Sequence, residues 1–515
     1  FVDFSKAFDS VWRNGLIFKL NKLGIGGKFL QTIKDMYSKT TNCVKHSHDL
    51  TESYVTHSGV KQGCNLSPTL FNLFISDITT IFDNECKPPI MHDKRIPCLL
   101  YADDLVIFSE SKQGLQTSLN KLENYCNTWR LNVNLRKTKV VVFSKGGRLP
   151  KDCLFTYQKN PVELVTSYCY LGIIVNSAGT FKANHKHLYR KGLKALFGIN
   201  QSLDNADAPI SVRNKLFDAC VKPIILYGSE IWGSFKSSNS CPIESVHLKF
   251  CKQSLRVPKS ACSLAARAEL GRYPIQVEAS LNAVKYFLRL RQNVPADSFQ
   301  ADAFYCQLDL DKSGVKCWAT GIRKSLEESG FAFLWHLPIS YNTNTLQIVS
   351  SIGQRIKDIY FQTFLKEIHN DNKGGAAKNK LRSYRLFKTT YNEEKYLSNA
   401  NMRVRNTVTR LRISCHKLHI ETGRHTRTPL EQRLCKHCNL NRIENECHFV
   451  VECGLYTKER NELYKLVENL FPYFTHLSTV QKFIFLMRLD KPPIEKHVCS
   501  FISTITEKRG EVEFI

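Results

Sequence analysis

Two carboxylates stand side by side at Asp103 and Asp104, between the apolar runs Leu99-Leu100-Tyr101 and Leu105-Val106-Ile107-Phe108. Short apolar runs around so brief a polar break predict a tight β-hairpin with the acids at its turn. Adjacent like charges raise each other's pKa, and a hard divalent cation reverses that penalty because oxygen ligands are what Mg²⁺ takes. Asp3 offers a third carboxylate. It sits on an apolar strand at residues 1–4, where a lone acid would be costly to bury. Three acidic side chains holding two ions roughly 3.5–4 Å apart are the donor set of two-metal phosphoryl transfer.

A second constellation lies near the other end. Cys435-x2-Cys438-x9-His448-x4-Cys453 combines the soft and borderline ligands that zinc prefers, and its four filled positions leave no opening for a substrate. A structural site is therefore expected, with Cys447 as a competing ligand beside His448. The 19 cysteines are otherwise scattered along a chain of 515 residues, the pattern of free thiols in a reducing compartment.

The elements that must position these groups can be read from periodicity. Residues 5–23 have helical spacing, with Ala7, Val11, Leu16 and Leu20 near one side, and residues 29–37 make a further helix. Residues 42–58 alternate like a hairpin, 59–63 form a loop, and Ser67-Pro68 opens an apolar helix through Ile81. An amphipathic helix over 114–130 and strands over 140–144 and 167–175 complete a mixed α+β region. Beyond Gly179 helical patterns take over at 185–203, 211–233 and 244–255, while 290–350 reads as a linker with a small helical piece. The divisions expected are 1–175, 176–290, 291–371 and 372–515.

The net charge of +27 calls for a polyanionic partner, nucleic acid first. No apolar run approaches the roughly 18 residues needed to span a bilayer, so no membrane partner is expected. Residues 372–433 carry 15 Lys and Arg against 4 Glu, while the first 150 residues hold 20 basic and 13 acidic. The dense basic stretch, with Arg403, Arg405, Arg410, Arg412, Arg424 and Arg427, is read as a nucleic-acid backbone contact. Asp9 is read as a helix-start residue.

Five stretches in order resemble the palm motifs of reverse transcriptases. They are Phe1-Val2-Asp3-Phe4-Ser5-Lys6-Ala7-Phe8-Asp9, Gly59-Val60-Lys61-Gln62-Gly63-Cys64-Asn65-Leu66-Ser67-Pro68, Tyr101-Ala102-Asp103-Asp104, residues 131–139 with Lys137-Thr138-Lys139, and Tyr170-Leu171-Gly172. The likeness covers residues 1 to about 175 and is nearest to non-LTR (LINE-like) retrotransposons. It implies a right-hand polymerase palm at 1–175, a helical thumb or connector at 176–290, and a basic C-terminal region at 372–515 with a Cys-Cys-His-Cys zinc knuckle.

The resemblance further implies an RNA-directed DNA polymerase in which Asp3, Asp103 and Asp104 hold two Mg²⁺ ions, or Mn²⁺ in their place. Phe8 would be the steric gate against a ribose 2′-hydroxyl. Gln62 and Gly63 would face template and nucleotide, Lys137 the departing pyrophosphate, and Tyr170, Leu171 and Gly172 the primer. Template RNA, target or primer DNA and dNTPs are the implied partners. A nuclear site of action, with a cytoplasmic ribonucleoprotein stage, follows from chromosomal target DNA. The family's fingers precede the first motif, so a truncated start and inactivity of the chain on its own are expected. Two readings compete: an inactive nucleic-acid-binding remnant of such an element, and a group II intron-type maturase. An RNA-dependent RNA polymerase fits Phe8 and the Tyr101-Ala102-Asp103-Asp104 turn less well.

Overall fold

The short apolar runs around the paired acids resolve into a small antiparallel sheet in a computed structural model of the chain. It describes all residues except 47–48, 151–152, 204–207, 236–240, 296, 337–343, 371–378, 399–400 and 513–515. Two compact units emerge, one of residues 1–184 with 296–306, the other of 185–295 with 307–515.

The first unit mixes strands and helices. Strand β1 (Val2–Asp3) is followed by turns, helix α1 (Arg13–Lys22) and helix α2 (Gly27–Ser38). The helix expected from residue 5 starts only at Arg13. The carbonyls of Phe8 and Val11 accept from the amides of Val60 and Gly59, both at 2.9 Å, and Lys6 has a φ of +50°. Backbone groups that a helix would use internally are thus committed across the chain, although Ala7, Val11, Leu16 and Leu20 are all buried as their spacing predicts.

Strands β2 (Thr41–Asn42), β3 (Lys45–His46), β4 (Asp49–Leu50) and β5 (Tyr54–Val55) nest, β3 on β4 inside β2 on β5. Helix α3 (Ser67–Ile75) takes Pro68 in its first turn and tightens to a 3₁₀ turn over Ser76–Ile81. A short hairpin of β6 (Ile90–Met91) and β7 (Lys94–Arg95) precedes the predicted hairpin of β8 (Cys98–Tyr101) and β9 (Asp104–Ile107). Strand β1 pairs with β9, giving the order β8–β9–β1.

Helix α4 (Lys112–Trp129) starts at Ser111, whose hydroxyl accepts from the Gly114 amide at 3.0 Å, and stops at Arg130 in the left-handed region. Strands β10 (Lys139–Val140), β11 (Phe155–Tyr157) and β12 (Asn160–Leu164) form a second sheet, and β13 (Ser167–Tyr170) with β14 (Ile173–Asn176) a hairpin. The segment read as one strand over 167–175 folds back because Leu171 and Gly172 both take positive φ, +45° and +80°. Val2, Phe4 and Leu105 from the sheet, Leu16 and Leu20 from α1, Phe71 and Phe74 from α3, and Leu119 and Leu122 from α4 share one core.

Helix α5 (Lys182–Leu203) begins in the first unit, and the second is largely helical. Its helices are α6 (Ile210–Leu216), α7 (Lys222–Ile225), α8 (Ser229–Trp232), α9 (Pro242–Ser254), α10 (Ser263–Glu269) and α11 (Ile275–Asn293). They continue as α12 (Phe299–Lys312, its start in the first unit), α13 (Trp318–Glu328), α14 (Thr345–His369), α15 (Tyr384–Phe387) and α16 (Met402–Arg412). The last are α17 (His419–His425), α18 (Thr457–Leu470), α19 (Thr479–Arg488) and α20 (Pro492–Val512).

The continuous helix expected over 211–233 is broken. A π-turn at Phe217–Val221, Pro223 and Gly228 at φ +68° divide it into α6, α7 and α8. Gly233 lets α8 approach α11 closely, since a Cβ there would lie 2.1 Å from the Ala279 carbonyl oxygen. Residues 291–371, expected as a linker with helical pieces, hold the three helices α12, α13 and α14, with Ile322, Leu326, Ile352, Phe364 and Ile368 buried. Each such side chain contributes roughly 1.5–3 kcal/mol. The division expected between 371 and 372 lies outside the described residues.

Candidate functional site

Strand register decides what the three carboxylates can do. Asp3 stands directly opposite Asp104 across β1 and β9, and Asp103 is the next residue in the turn. Cross-strand partners keep their Cβ atoms about 4.5–5.5 Å apart on one face, so like charges face each other. The Asp104 carboxyl is pushed up by burial first, then by the charges of Asp103 and Asp3, against an opposing pull from Lys137. A divalent cation among these oxygens would relieve that crowding, and the donor set fits one.

Lys137 reaches this group because residues 131–139 run along the outer side of β1. Phe4 bridges to Val133, the Asn134 amide donates to the Asp3 carbonyl at 2.8 Å, and the Asp3 amide donates to Thr138 Oγ1 at 3.2 Å. Lys137 Nζ then stands 3.5 Å from Asp3 Oδ1 with its side chain 67% exposed, an ammonium tethered at one end and open to solvent.

Phe8 is half-buried and stacks on Phe71 at 4.6 Å, which fixes its ring. Gln62 is exposed, and its Nε2 donates to Asp9 Oδ1 at 2.9 Å. Asp9 is therefore not the helix-start residue expected, since the chain there is a turn and the helix begins at Arg13; its carboxylate instead meets a glutamine. Gly63 has a φ of +78° and nothing within 4 Å of where a Cβ would sit, so its outer side is open. Tyr170, Leu171 and Gly172 form the end of the β13–β14 hairpin. Tyr168 lies on the same face as Tyr170. Its hydroxyl is pushed up by burial and then by Asp3 and Asp104, so it belongs beside the acids. The i, i+2 pairing of the two tyrosines was the available signal.

The predicted metal ligands do converge. Ligand atoms of Cys435, Cys438, His448 and Cys453 all lie within 4.8 Å of one another. Cys435 Sγ is 3.9 Å from Cys453 Sγ, and Cys438 Sγ is 3.5 Å from His448 Nε2. Tetrahedral zinc with Zn–S near 2.3 Å separates its sulfurs by about 3.8 Å, so this cluster could bind zinc. Cys447 stays outside it. His448 Nδ1 lies 3.2 Å from Glu452 Oε2, the partner that leaves Nε2 to face the sulfurs.

Much of the basic stretch is not a nucleic-acid surface. Arg412 is buried against Glu269 and Glu394, and Arg405 and Arg433 are buried too. Arg382 pairs with Glu421 and with Glu446, Lys388 with Glu394. Arg424 is 3.3 Å from Glu421 and donates to the Asn379 carbonyl at 2.9 Å. Arg403, Arg410 and Arg427 are exposed, with Arg403 beside Glu507 and Arg410 donating to the Arg256 carbonyl. Of these acids Glu394 and Glu421 lie within the stretch, while Glu269, Glu446 and Glu507 lie outside it, where a local charge count could not see them.

Helix α5 shows the opposite. Lys182, Lys186, Arg190, Lys191 and Lys194 are exposed along it, its sequence holds no acid, and none of the five has an acidic partner among the described residues. Like charges four residues apart repel. Burial and then Lys191 and Arg190 hold His187 below its ordinary pKa. The i, i+4 spacing of Lys182, Lys186, Arg190 and Lys194 is itself legible in the sequence.

Comparison with known proteins agrees on the first unit. The family described as "Reverse transcriptase (RNA-dependent DNA polymerase)" matches residues 1–175. A Drosophila melanogaster protein described as a probable RNA-directed DNA polymerase from transposon BS is 26% identical over 303 residues, 57% of this chain and 33% of its own length. The RNA-directed DNA polymerase from mobile element jockey of the same fly is 25% identical over 269 residues, 48% of this chain and 27% of its own. The Pol polyprotein from type-2 retrotransposable element R2DM, also from that fly, is 30% identical over 191 residues, 36% of this chain and 18% of its own. The chain thus spans at most about a third of the length of these relatives.

Proposed function

Through residues 1–175 the chain belongs to the reverse transcriptases of non-LTR retrotransposons, and on that premise we propose that it is an RNA-directed DNA polymerase extending a primer 3′-hydroxyl on an RNA template. The observation that carries this reading is the register that sets Asp3 opposite Asp104, with Asp103 in the adjoining turn. Two Mg²⁺ ions held by these carboxylates would supply, when bound, activation of the hydroxyl and charge neutralisation at the leaving pyrophosphate.

The chain's own residues do the rest. Phe8, held by its stack on Phe71, blocks a 2′-hydroxyl and so selects dNTPs. Gln62 and the open side of Gly63 meet the template strand and incoming nucleotide. Lys137, tethered to Asp3, offers its ammonium to the departing phosphates. The Tyr170-Leu171-Gly172 turn supports the primer end. Zinc at Cys435, Cys438, His448 and Cys453 acts as a structural ion. The cations of α5 support a nucleic-acid backbone as the polyanionic partner, and chromosomal DNA as primer places the work in the nucleus. No described helix is long and apolar enough to cross a membrane.

The test is primer extension on an RNA homopolymer annealed to a DNA primer, with Mg²⁺ and either dNTP or rNTP. Incorporation of dNTP should fall on the order of 10³-fold in Asp104→Asn, and Phe8→Val should admit rNTP. No extension by the wild-type chain, alone or with a fingers segment supplied ahead of residue 1, or extension that survives Asp104→Asn, overturns the proposal.

A further inference from the structure

Arg13 opens α1, where the sequence offers no reason for an arginine rather than any other polar residue. Its guanidinium has five N–H donors, and every one is placed. Nε donates to the Gly59 carbonyl at 3.0 Å, Nη1 to the carbonyls of Thr56 at 2.6 Å and Tyr37 at 3.0 Å, and Nη2 to the Ser58 carbonyl at 3.1 Å and Thr56 Oγ1 at 3.4 Å. No carboxylate pairs with it among the described residues. The ring of Tyr37 lies 5.3 Å from its Cζ. A cation whose acceptors are four backbone carbonyls and one hydroxyl is a fastener for the backbone that carries them.

That backbone is the entry to the loop at 59–63. The same loop is sewn to the turn after β1 by Gly59 N to Val11 O and Val60 N to Phe8 O, both 2.9 Å, and by Ser58 Oγ to Asp9 O at 3.2 Å. Gly59 has a φ of +85° and lies so close that a Cβ would stand 2.7 Å from the Asp9 carbonyl oxygen. Across this seam Gln62 Nε2 donates to Asp9 Oδ1. An ionised carboxylate accepts only, so Asp9 determines which end of the amide it meets: Nε2 is held and Oε1 is left free as an acceptor.

We propose that Arg13 and Asp9 are positioning residues of the polymerase site, Arg13 holding the 59–63 loop in place and Asp9 holding the Gln62 amide in one orientation for the templating strand and the incoming deoxynucleotide. This rests on the reverse transcriptase reading of the first unit. Small misplacements of a positioning group are costly, about a hundredfold for 1 Å. Lysine at position 13 would keep the charge but bring three donors on a flexible stem in place of a planar fork. Asparagine at position 9 would keep the shape but could meet either end of the glutamine amide.

The test uses the full chain with Arg13→Lys and Asp9→Asn, read by hydrogen exchange and by single-nucleotide incorporation. In Arg13→Lys the amides of Gly59 and Val60 should exchange at least about tenfold faster, and KM for dNTP should rise about tenfold with kcat changed less than about twofold. In Asp9→Asn the same split of KM from kcat should appear with the exchange of Gly59 and Val60 unaltered. Unchanged exchange in Arg13→Lys overturns the hold on the loop. Unchanged KM in both variants overturns the role in positioning. If the wild-type chain extends no primer, with or without a fingers segment supplied ahead of residue 1, the polymerase reading fails and the nucleotide role with it, while exchange still decides whether Arg13 fastens the loop.

Discussion

Replacing Arg412 with glutamine separates a structural arginine from a phosphate-binding one. Its side chain is 1% exposed and that of Glu269 is fully buried. Nε and Nη2 donate to the two Glu269 oxygens at 3.0 and 3.1 Å, and Nη2 lies 3.0 Å from Glu394. Nη1 donates to the Met487 carbonyl. Arg412→Gln leaves Glu269 buried without its fork, a loss of about 3–5 kcal/mol against a typical total of 5–15. With a urea slope of about 3 kcal/mol per molar, the unfolding midpoint should fall by roughly 1 M or more.

The effect has a pH signature. Burial would raise the Glu269 pKa, but Arg412, then Lys388, hold it below its ordinary value. Such a depressed carboxylate contributes stability above its ordinary pKa of about 4.3 and loses it as pH falls through the folded value. Without Arg412 burial dominates and the pKa rises, so protonation relieves the variant on acidification. The gap between the two urea midpoints should therefore narrow between pH 7.5 and pH 5. RNA affinity of the folded variant, measured against salt concentration, should keep the wild-type slope. An unchanged midpoint with a slope lowered by about 0.7–0.9 would refute the reasoning, because that is the mark of one lost phosphate contact.

Two further outcomes are expected. Lys186→Gln with Arg190→Gln should reduce the salt slope of RNA binding by roughly 1.4–1.8 while leaving the melting temperature within a degree or two; an unaltered slope would remove α5 from the nucleic-acid surface. Metal analysis should find one zinc per chain, and its removal by chelator should lower the melting temperature of the second unit on the order of 10 °C. The reason is that Glu444 and Glu446, between ligands Cys438 and His448, are buried in pairs with Arg509 and Arg382. Zinc-free protein that melts as before would show the cluster to be four uncoordinated side chains.

What was legible in the sequence was local or motif-borne. The β8–β9 hairpin, the helix read over 114–130 and the Cys-Cys-His-Cys spacing are each specified within about twenty residues, by paired apolar runs, amphipathic spacing and ligand type. The Asp triad was also legible, because a carboxylate on an apolar strand needs a partner wherever that strand pairs. Other features depended on groups that meet only after folding. Residues 5–11 have a helix's apolar spacing, yet the carbonyls of Phe8 and Val11 are claimed by amides some fifty positions away, and register across that gap is a tertiary fact. Arg13 carries no signal in the sequence, because its acceptors are backbone carbonyls, which every sequence contains. The basic stretch at 372–433 looked like a phosphate track since Arg412 and Glu269 are 143 residues apart. Charge counted along the chain ignores burial, and burial is what turns an arginine from a ligand for solvent-borne phosphate into the partner of an interior carboxylate.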